Sequence, residues 1–374
     1  MSAFRLHTSE SRNHIDVALL IISVLILIGG MVMLFSASVA VGIERFGDAN
    51  FFIKRQLMWL AIGLVAGYIG YKVDYHYWQK WSLFILLGSI LLLVTVFIPG
   101  IGAGGNGAQR WVNLGIASFQ PSEFVKLSLV VYLAAWLSER GHQAIQDFKT
   151  GLIPIVAVLA VIGFLILKQP DLGTLIIIAL IAIGMYFIGG AHTNHLIGLV
   201  GIGAAIAAAA IALAPYRMAR FTSFLNPSAD PQGTGYHITQ SLIAVGSGGF
   251  FGLGLGHSRQ KFLYLPEVTG DSIFAVIAEE LGFMGSITVI ALFLLFFWRS
   301  IHIARRAPDA FGKLMAAGIG SWIVLQAFIN IGAMLGVLPL TGVTLPLVSY
   351  GGSSLIVTLV AIGILLNISK TSRA

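Results

Sequence analysis

The sequence predicts an all-α polytopic membrane protein with about ten transmembrane helices, both termini cytoplasmic, and a large extracytoplasmic loop between helices 7 and 8. Three observations predict it. Only 10% of residues are charged against 57% hydrophobic, and mean hydropathy is +0.91. Soluble domains carry about 25% charged residues. Ten apolar segments approach the roughly 20 residues that a spanning helix needs. Lys and Arg favour one of the two alternating sets of connections, as orientation in a membrane produces.

The segments are 15–36, 56–73, 81–99, 122–138, 152–168, 172–189, 194–214, 272–298, 313–338 and 345–368. The first has Arg5 and Arg12 ahead of it and "SVA" behind it, like a signal peptide. Its apolar run, Val17 to Phe35, exceeds the about 7–15 residues of a signal core, so it is expected to be retained. The fourth carries Glu123 and Lys126 in its first turn, and the sixth and seventh join through "GGAHTNH". An even number of helices returns both termini to one side. That side holds twelve Lys or Arg residues, Arg5, Arg12 and Arg373 among them, against nine on the other. The basic connection "WRSIHIARRAPDAFGK" makes it the cytoplasmic side. The chain, 1–374, reads as one membrane domain. Two outer connections are too long for linkers: 100–121, "GIGAGGNGAQRWVNLGIASFQP", and 215–271, with glycine-rich "GSGGFFGLGLG".

Several function classes are excluded. The net charge of +7 comes from dispersed basic residues, without the aromatic interleaving of a nucleic-acid surface, so no nucleic acid is expected. The absence of cysteine rules out disulfides and thiolate metal sites. The nine histidines show no HExxH-type spacing, and there is no P-loop or nucleophile elbow.

The charges near or within the helices are the candidates for chemistry, because a charge in the bilayer is expensive. Asp271 opens the eighth segment. It is either an N-cap or a general base whose pKa is raised by partial desolvation. Glu267, behind Pro266, is either a solvated loop acid or a support for the site. Glu279 and Glu280 lie deeper and point about 100° apart; partners on a neighbouring helix are expected. In "QPSEFVK", Glu123 and Lys126 share a face at i,i+3, as a neutralising pair or as a cavity lining. Arg110 in "GAQRW" can fork onto phosphate or anchor at the interface beside Trp111. Asp171 in "KQPDLG" can cap the sixth helix. Arg259 and Lys261, with Arg217 and Arg220, make the large outer loop basic and suit an anionic partner. The residues alone do not choose between an enzyme and a transporter.

These motifs resemble the SEDS (shape, elongation, division and sporulation) family of RodA/FtsW-type peptidoglycan glycosyltransferases. The likeness runs through "GAQRW", "QPSEFVK", "QPDLGT", "GYHITQSLIAVGSGG", "LPEVTGDSIFAVIAEELG" and "LPLVSYGGSS". "GLGLGHSRQKFLYLPE" is more FtsW-like. The resemblance implies an enzyme that polymerises lipid II into β-1,4 glycan strands on the outer face of the bacterial cytoplasmic membrane, for division or cell shape. It places the essential acid on Asp271, although "TGD" replaces the usual residues before it. It implies substrate binding around Arg110, Gln120, Glu123, Lys126, Asp171, Arg259, Lys261, Glu267 and Ser349. The expected partner is a class B penicillin-binding protein, which supplies the transpeptidase motifs this chain lacks. No organic cofactor is expected; Mg²⁺ or Mn²⁺ is an expected helper, since pyrophosphate chemistry often uses a divalent ion. The competing readings are a lipid II flippase and a non-catalytic scaffold.

Overall fold

A computed structural model describes residues 15–105, 108–113 and 118–371. Arg5, Arg12 and Arg373 of the charge count lie outside the described residues.

The chain runs α1 (Val17–Phe46), α2 (Phe51–Lys72), α3 (Tyr75–Thr95), β1 (Gly102–Gly105), β2 (Ala108–Asn113), β3 (Ser118–Phe119), α4 (Pro121–Ser138), α5 (His142–Gln146), α6 (Ile153–Lys168), α7 (Leu172–Ile188) and α8 (Thr193–Ala212). It continues with α9 (Pro215–Leu225), α10 (Tyr236–Ser247), α11 (Ile273–Arg306), α12 (Ala310–Met334) and α13 (Gly352–Thr371). Helices occupy all ten predicted segments. Among the described residues, eight are long and apolar enough to cross a membrane, and Leu172–Ile188 is a shorter apolar helix. Pro121–Ser138 carries the Glu123 and Lys126 charges.

α12 and α13 sit inside the bundle and are mostly buried; they carry buried polar side chains such as Gln326, Asn330, Thr358 and Asn367, which lipid would not satisfy. α2, α3 and α8 leave most of their apolar surface outward, toward where lipid would lie. The backbones of α2 and α13 approach closely. A Cβ on Gly67 would meet the Leu359 carbonyl oxygen at 2.8 Å, and one on Gly363 would meet the Gly67 oxygen at 2.1 Å. Small residues at such spacing let membrane helices pack without a hydrophobic driving force between them.

The two ends of the bundle differ. At one, Arg299 pairs with Asp16 at 2.8 Å, and the Asp16 amide donates to Ser369 Oγ at 3.0 Å. The start of α1 and the end of α13 therefore share a face. The opposite end of α1 reaches the face that holds the sheet, α9, α10 and the start of α11.

Three expectations need correction. The connection 100–121 contains a three-stranded antiparallel sheet in the order β1-β2-β3. The segment 215–271 is not one loop: it holds amphipathic α9, α10 and an ordered glycine-rich stretch. That stretch bonds to α11 where Gly282 breaks helical geometry (φ 66°, ψ −161°). Leu253 and Gly254 amides donate to the Glu279 and Glu280 carbonyls at 3.0 Å each, and the Phe283 amide donates to Gly249 at 2.9 Å. The tenth helix begins at Gly352, not 345, because Pro346, positive-φ Leu347 (φ 64°) and a Ser349 Oγ bond to the Leu345 amide hold the preceding residues in turns.

Candidate active site

A cavity of about 900 Å³ opens on the face opposite the Asp16–Arg299 pair. Elements far apart in sequence build it. The end of α1 brings Glu44 and Arg45, and α2 brings Arg55 and Trp59. The sheet brings Arg110 and Trp111, and the starts of α4 and α7 bring Gln120 and Asp171. Arg220 comes from α9, His237 from α10, and Glu267 and Asp271 from the turns before α11. The α12–α13 connection closes it with Leu340, Thr344 and Tyr350.

Asp271 does not cap α11. Ser272 holds the cap position and no side-chain cap bond forms. The Asp271 carboxyl is half-buried, and its Oδ1 is enclosed with no hydrogen-bond partner among the described residues. Burial, then the negative charge of Glu267, push its pKa from 3.8 up to about 7, and the Arg220 guanidinium opposes the rise. The backbone that carries it is pinned from two sides. Asn330 Nδ2, on α12, donates to the Asp271 carbonyl and to the Val343 carbonyl, each at 2.7 Å. The Tyr350 amide donates to the Thr269 carbonyl at 2.8 Å. Glu267 adopts positive φ (48°), which folds its carbonyl back onto the Gly270 amide at 2.9 Å.

Four arginines line the cavity: Arg45, Arg55, Arg110 and Arg220. Arg110 is held by the α6–α7 turn, donating to Gln169 O at 3.2 Å and to Pro170 O. Gln120 Nε2 donates to Asp171 Oδ2 at 3.2 Å. Asp171 also caps α7, accepting from the Thr174 amide at 3.2 Å and the Thr174 hydroxyl at 2.9 Å. A smaller space of about 100 Å³ shares Arg110 and Arg220 and is lined below them by Leu172, Ile176, Ile211 and Phe221.

Of the ten expected site residues, Asp271, Glu267, Arg110, Gln120 and Asp171 face the cavity; the other five do not line it. Glu123 and Lys126 form a buried ion pair at 2.7 Å. Lys126 Nζ also donates to Gln326 Oε1 at 2.7 Å, and Gln326 Nε2 donates to the Thr344 carbonyl at 3.0 Å. That chain ties α4 to α12 and to the cavity wall from behind. Lys261 is likewise spent internally, pairing with Glu280 at 2.7 Å and donating to Ser36 Oγ at 3.0 Å. Arg259 is exposed outside the cavity; its amide donates to Glu279 at 2.9 Å. Ser349 is buried and turns its hydroxyl to the Leu345 amide at 2.8 Å. A cation in low dielectric takes the nearest carboxylate; the i,i+3 spacing offered Glu123 to Lys126, but nothing in the spacing offered Glu280 to Lys261. Conversely, Arg45, Arg55, Arg220 and His237 belong to the cavity and went unassigned. The outward basic excess of the loop was the one signal that included Arg220.

The family model described as cell cycle protein (FtsW/RodA/SpoVE) matches residues 17–374. The chain belongs to the FtsW/RodA/SpoVE family. Within it, the chain is 46% identical over 360 residues to stage V sporulation protein E of Bacillus subtilis, covering 96% of this chain and 98% of that one. It is 46% identical over 347 residues to a probable peptidoglycan glycosyltransferase FtsW of Nitrosococcus halophilus, covering 92% and 89%. Among solved structures, a chain from work on polymerization and crosslinking by a peptidoglycan synthase complex superposes with TM-score 0.78 at 28% identity, covering 95% of this chain and 97% of that one. The rod shape determining protein RodA of Thermus thermophilus gives 0.70 at 26%, covering 96% and 98%. The FtsW/RodA/SpoVE fold thus extends over nearly all of the chain.

Proposed function

We propose that this chain is a peptidoglycan glycosyltransferase that polymerises lipid II at the outer face of the bacterial cytoplasmic membrane. The observation that carries the reading is one cavity that holds a carboxyl poised near pH 7 and four guanidinium groups. A general base works best with a pKa near the operating pH, and arginines suit a pyrophosphate.

In this reading Asp271 accepts the proton of the acceptor 4-hydroxyl as that oxygen attacks the donor's anomeric carbon. The bond to undecaprenyl pyrophosphate breaks on the opposite side. An α-linked donor becoming a β-1,4 product is one inversion, so a single base suffices. Arg110 and Arg220 are placed to take the charge that develops on the leaving pyrophosphate, and the apolar space below them suits the start of a prenyl tail. Glu267 and Asp271 are the carboxylates that would hold a Mg²⁺ or Mn²⁺ ion, with phosphate oxygens completing its shell; the orphaned Asp271 Oδ1 fits that donor set. The ion would neutralise phosphate charge.

The cavity is outward because it lies opposite the basic connection at the end of α11. A class B penicillin-binding protein is the proposed partner. Closure of Glu123–Lys126 and Glu280–Lys261 on one another, away from the cavity, speaks for chemistry at one face over a polar path across the membrane.

The test uses full-length protein with such a partner and lipid II in detergent, where there is no leaflet to cross. Glycan should form, and Asp271→Asn should cut the rate by about 10²–10⁴-fold. Wild-type rates from a folded Asp271→Asn would remove Asp271 from the base role.

A further inference from the structure

We propose that His237 is a substrate-binding residue, whose Nδ1 lone pair accepts a hydrogen bond from a sugar hydroxyl or an acetamido N–H beside Asp271. The proposal rests on the reading of this cavity as the active site.

Its basis is a hydrogen-bond chain that fixes the tautomer. Ser272 Oγ lies 2.7 Å from the Pro266 carbonyl oxygen and 2.7 Å from His237 Nε2. A hydroxyl has one proton. The Pro266 oxygen can only accept, so that proton points to it. The Ser272 oxygen then receives the proton of His237 Nε2–H. In a neutral ring, Nδ1 is therefore bare and can only accept. Burial, then the Arg220 charge, push the His237 pKa down to about 4, so the ring is neutral near pH 7. It is correspondingly a weak base, suited to accepting a hydrogen bond rather than keeping a proton.

Among the described residues Nδ1 has no protein partner, and it is not one of the enclosed polar atoms; His237 lines the cavity. A bare Nδ1 on a ring that lines this cavity is available to a ligand in the space that Asp271 shares. Of the side chains that flank it, Arg220 only donates, and Asp271 is the proposed base. A neutral acceptor next to the base suits a neutral sugar group. Through Nε2 the same ring also tethers Ser272, the residue after Asp271, so His237 joins binding to positioning.

Two substitutions separate these halves. The Gln amide reaches the place of Nε2, so His237→Gln keeps the donor to Ser272 and loses the acceptor. The Asn amide reaches the place of Nδ1, so His237→Asn keeps the acceptor and loses the tether. With full-length protein, its transpeptidase partner and lipid II in detergent, His237→Gln should raise KM about tenfold, the loss of about 1.4 kcal/mol, and change kcat less than about twofold. His237→Asn should lower kcat and leave KM within about twofold. A wild-type KM for His237→Gln, or equal KM increases in both variants, overturns the proposal. If His237→Gln does not fold, His237→Ala replaces it: a KM about tenfold above that of His237→Asn supports the proposal, and equal values overturn it. Protection of Asp271→Asn from thermal unfolding by lipid II needs no turnover. Adding His237→Gln to it should raise the protecting concentration about tenfold, and no change overturns the proposal. This readout stands even if Asp271 proves not to be the base.

Discussion

Asp271→Asn should make the folded protein more stable, and the gain should depend on pH. A carboxyl raised from 3.8 to about 7 corresponds to about 4 kcal/mol at 1.36 kcal/mol per pKa unit. The side chain is half-buried, so solvent screening reduces this to about 2 kcal/mol. The sign follows from linkage. The folded state holds the proton more tightly than the unfolded chain. The associated stability is fully present below pH 3.8, is lost as pH rises, and is gone above about 7. Asparagine does not titrate and escapes that loss. Its advantage should be full at pH 8, less than half of that at pH 5, and absent near pH 4. Thermal unfolding of both proteins in one detergent measures it. The expected gain is a few degrees at pH 8. An equal gain at pH 5 and pH 8, or none at pH 8, would refute the claim that a desolvated charge is held there at a cost.

Three further outcomes follow from the same geometry. Glu267→Gln removes the like charge that helps raise Asp271, so the acid limb of the kcat/KM profile should move below pH 7. It should stay above 3.8, because burial is the larger cause; an unmoved limb would separate Glu267 from Asp271. Lys126→Met leaves Glu123 buried and unpaired and should destabilise the protein by about 3–5 kcal/mol, whereas Lys126→Met with Glu123→Gln should recover most of it; denaturation in mixed micelles compares them. Gly282→Ala puts a Cβ 2.3 Å from the Gly252 amide nitrogen at a φ of +66°; the yield of folded protein should fall sharply, and a normal yield would mean that the glycine-rich stretch is not seated in that break.

The fold was largely legible in the sequence because lipid imposes one strong rule. Backbone polar groups must bond within their own segment, so a long apolar run can be read as a helix. The turns before α13 escaped this reading: Leu345, Leu347 and Val348 are as apolar as a helix core, yet local bonds and Pro346 hold them irregular. The sheet of 100–121 escaped it too, because "GIGAGG" carries no alternation of apolar and polar residues.

By itself the sequence determined the helical membrane class and the approximate position of every long helix, and its family resemblance singled out Asp271 as the acid to test. Only the tertiary structure decided which charges are free to meet a ligand. Lys261 looked free to bind an anion, but Glu280 holds it internally; Lys126 pairs with Glu123, as their spacing allowed, and Gln326 joins that pair. Arg45, Arg55, Arg110 and Arg220 looked unrelated and converge on one cavity. Away from water a charge is held by whatever opposite charge or dipole lies nearest, and Gln326, which holds Lys126, is 200 residues away along the chain. Distance in space sets that choice, and spacing along the chain encodes it only within a helix turn, as for Glu123 and Lys126.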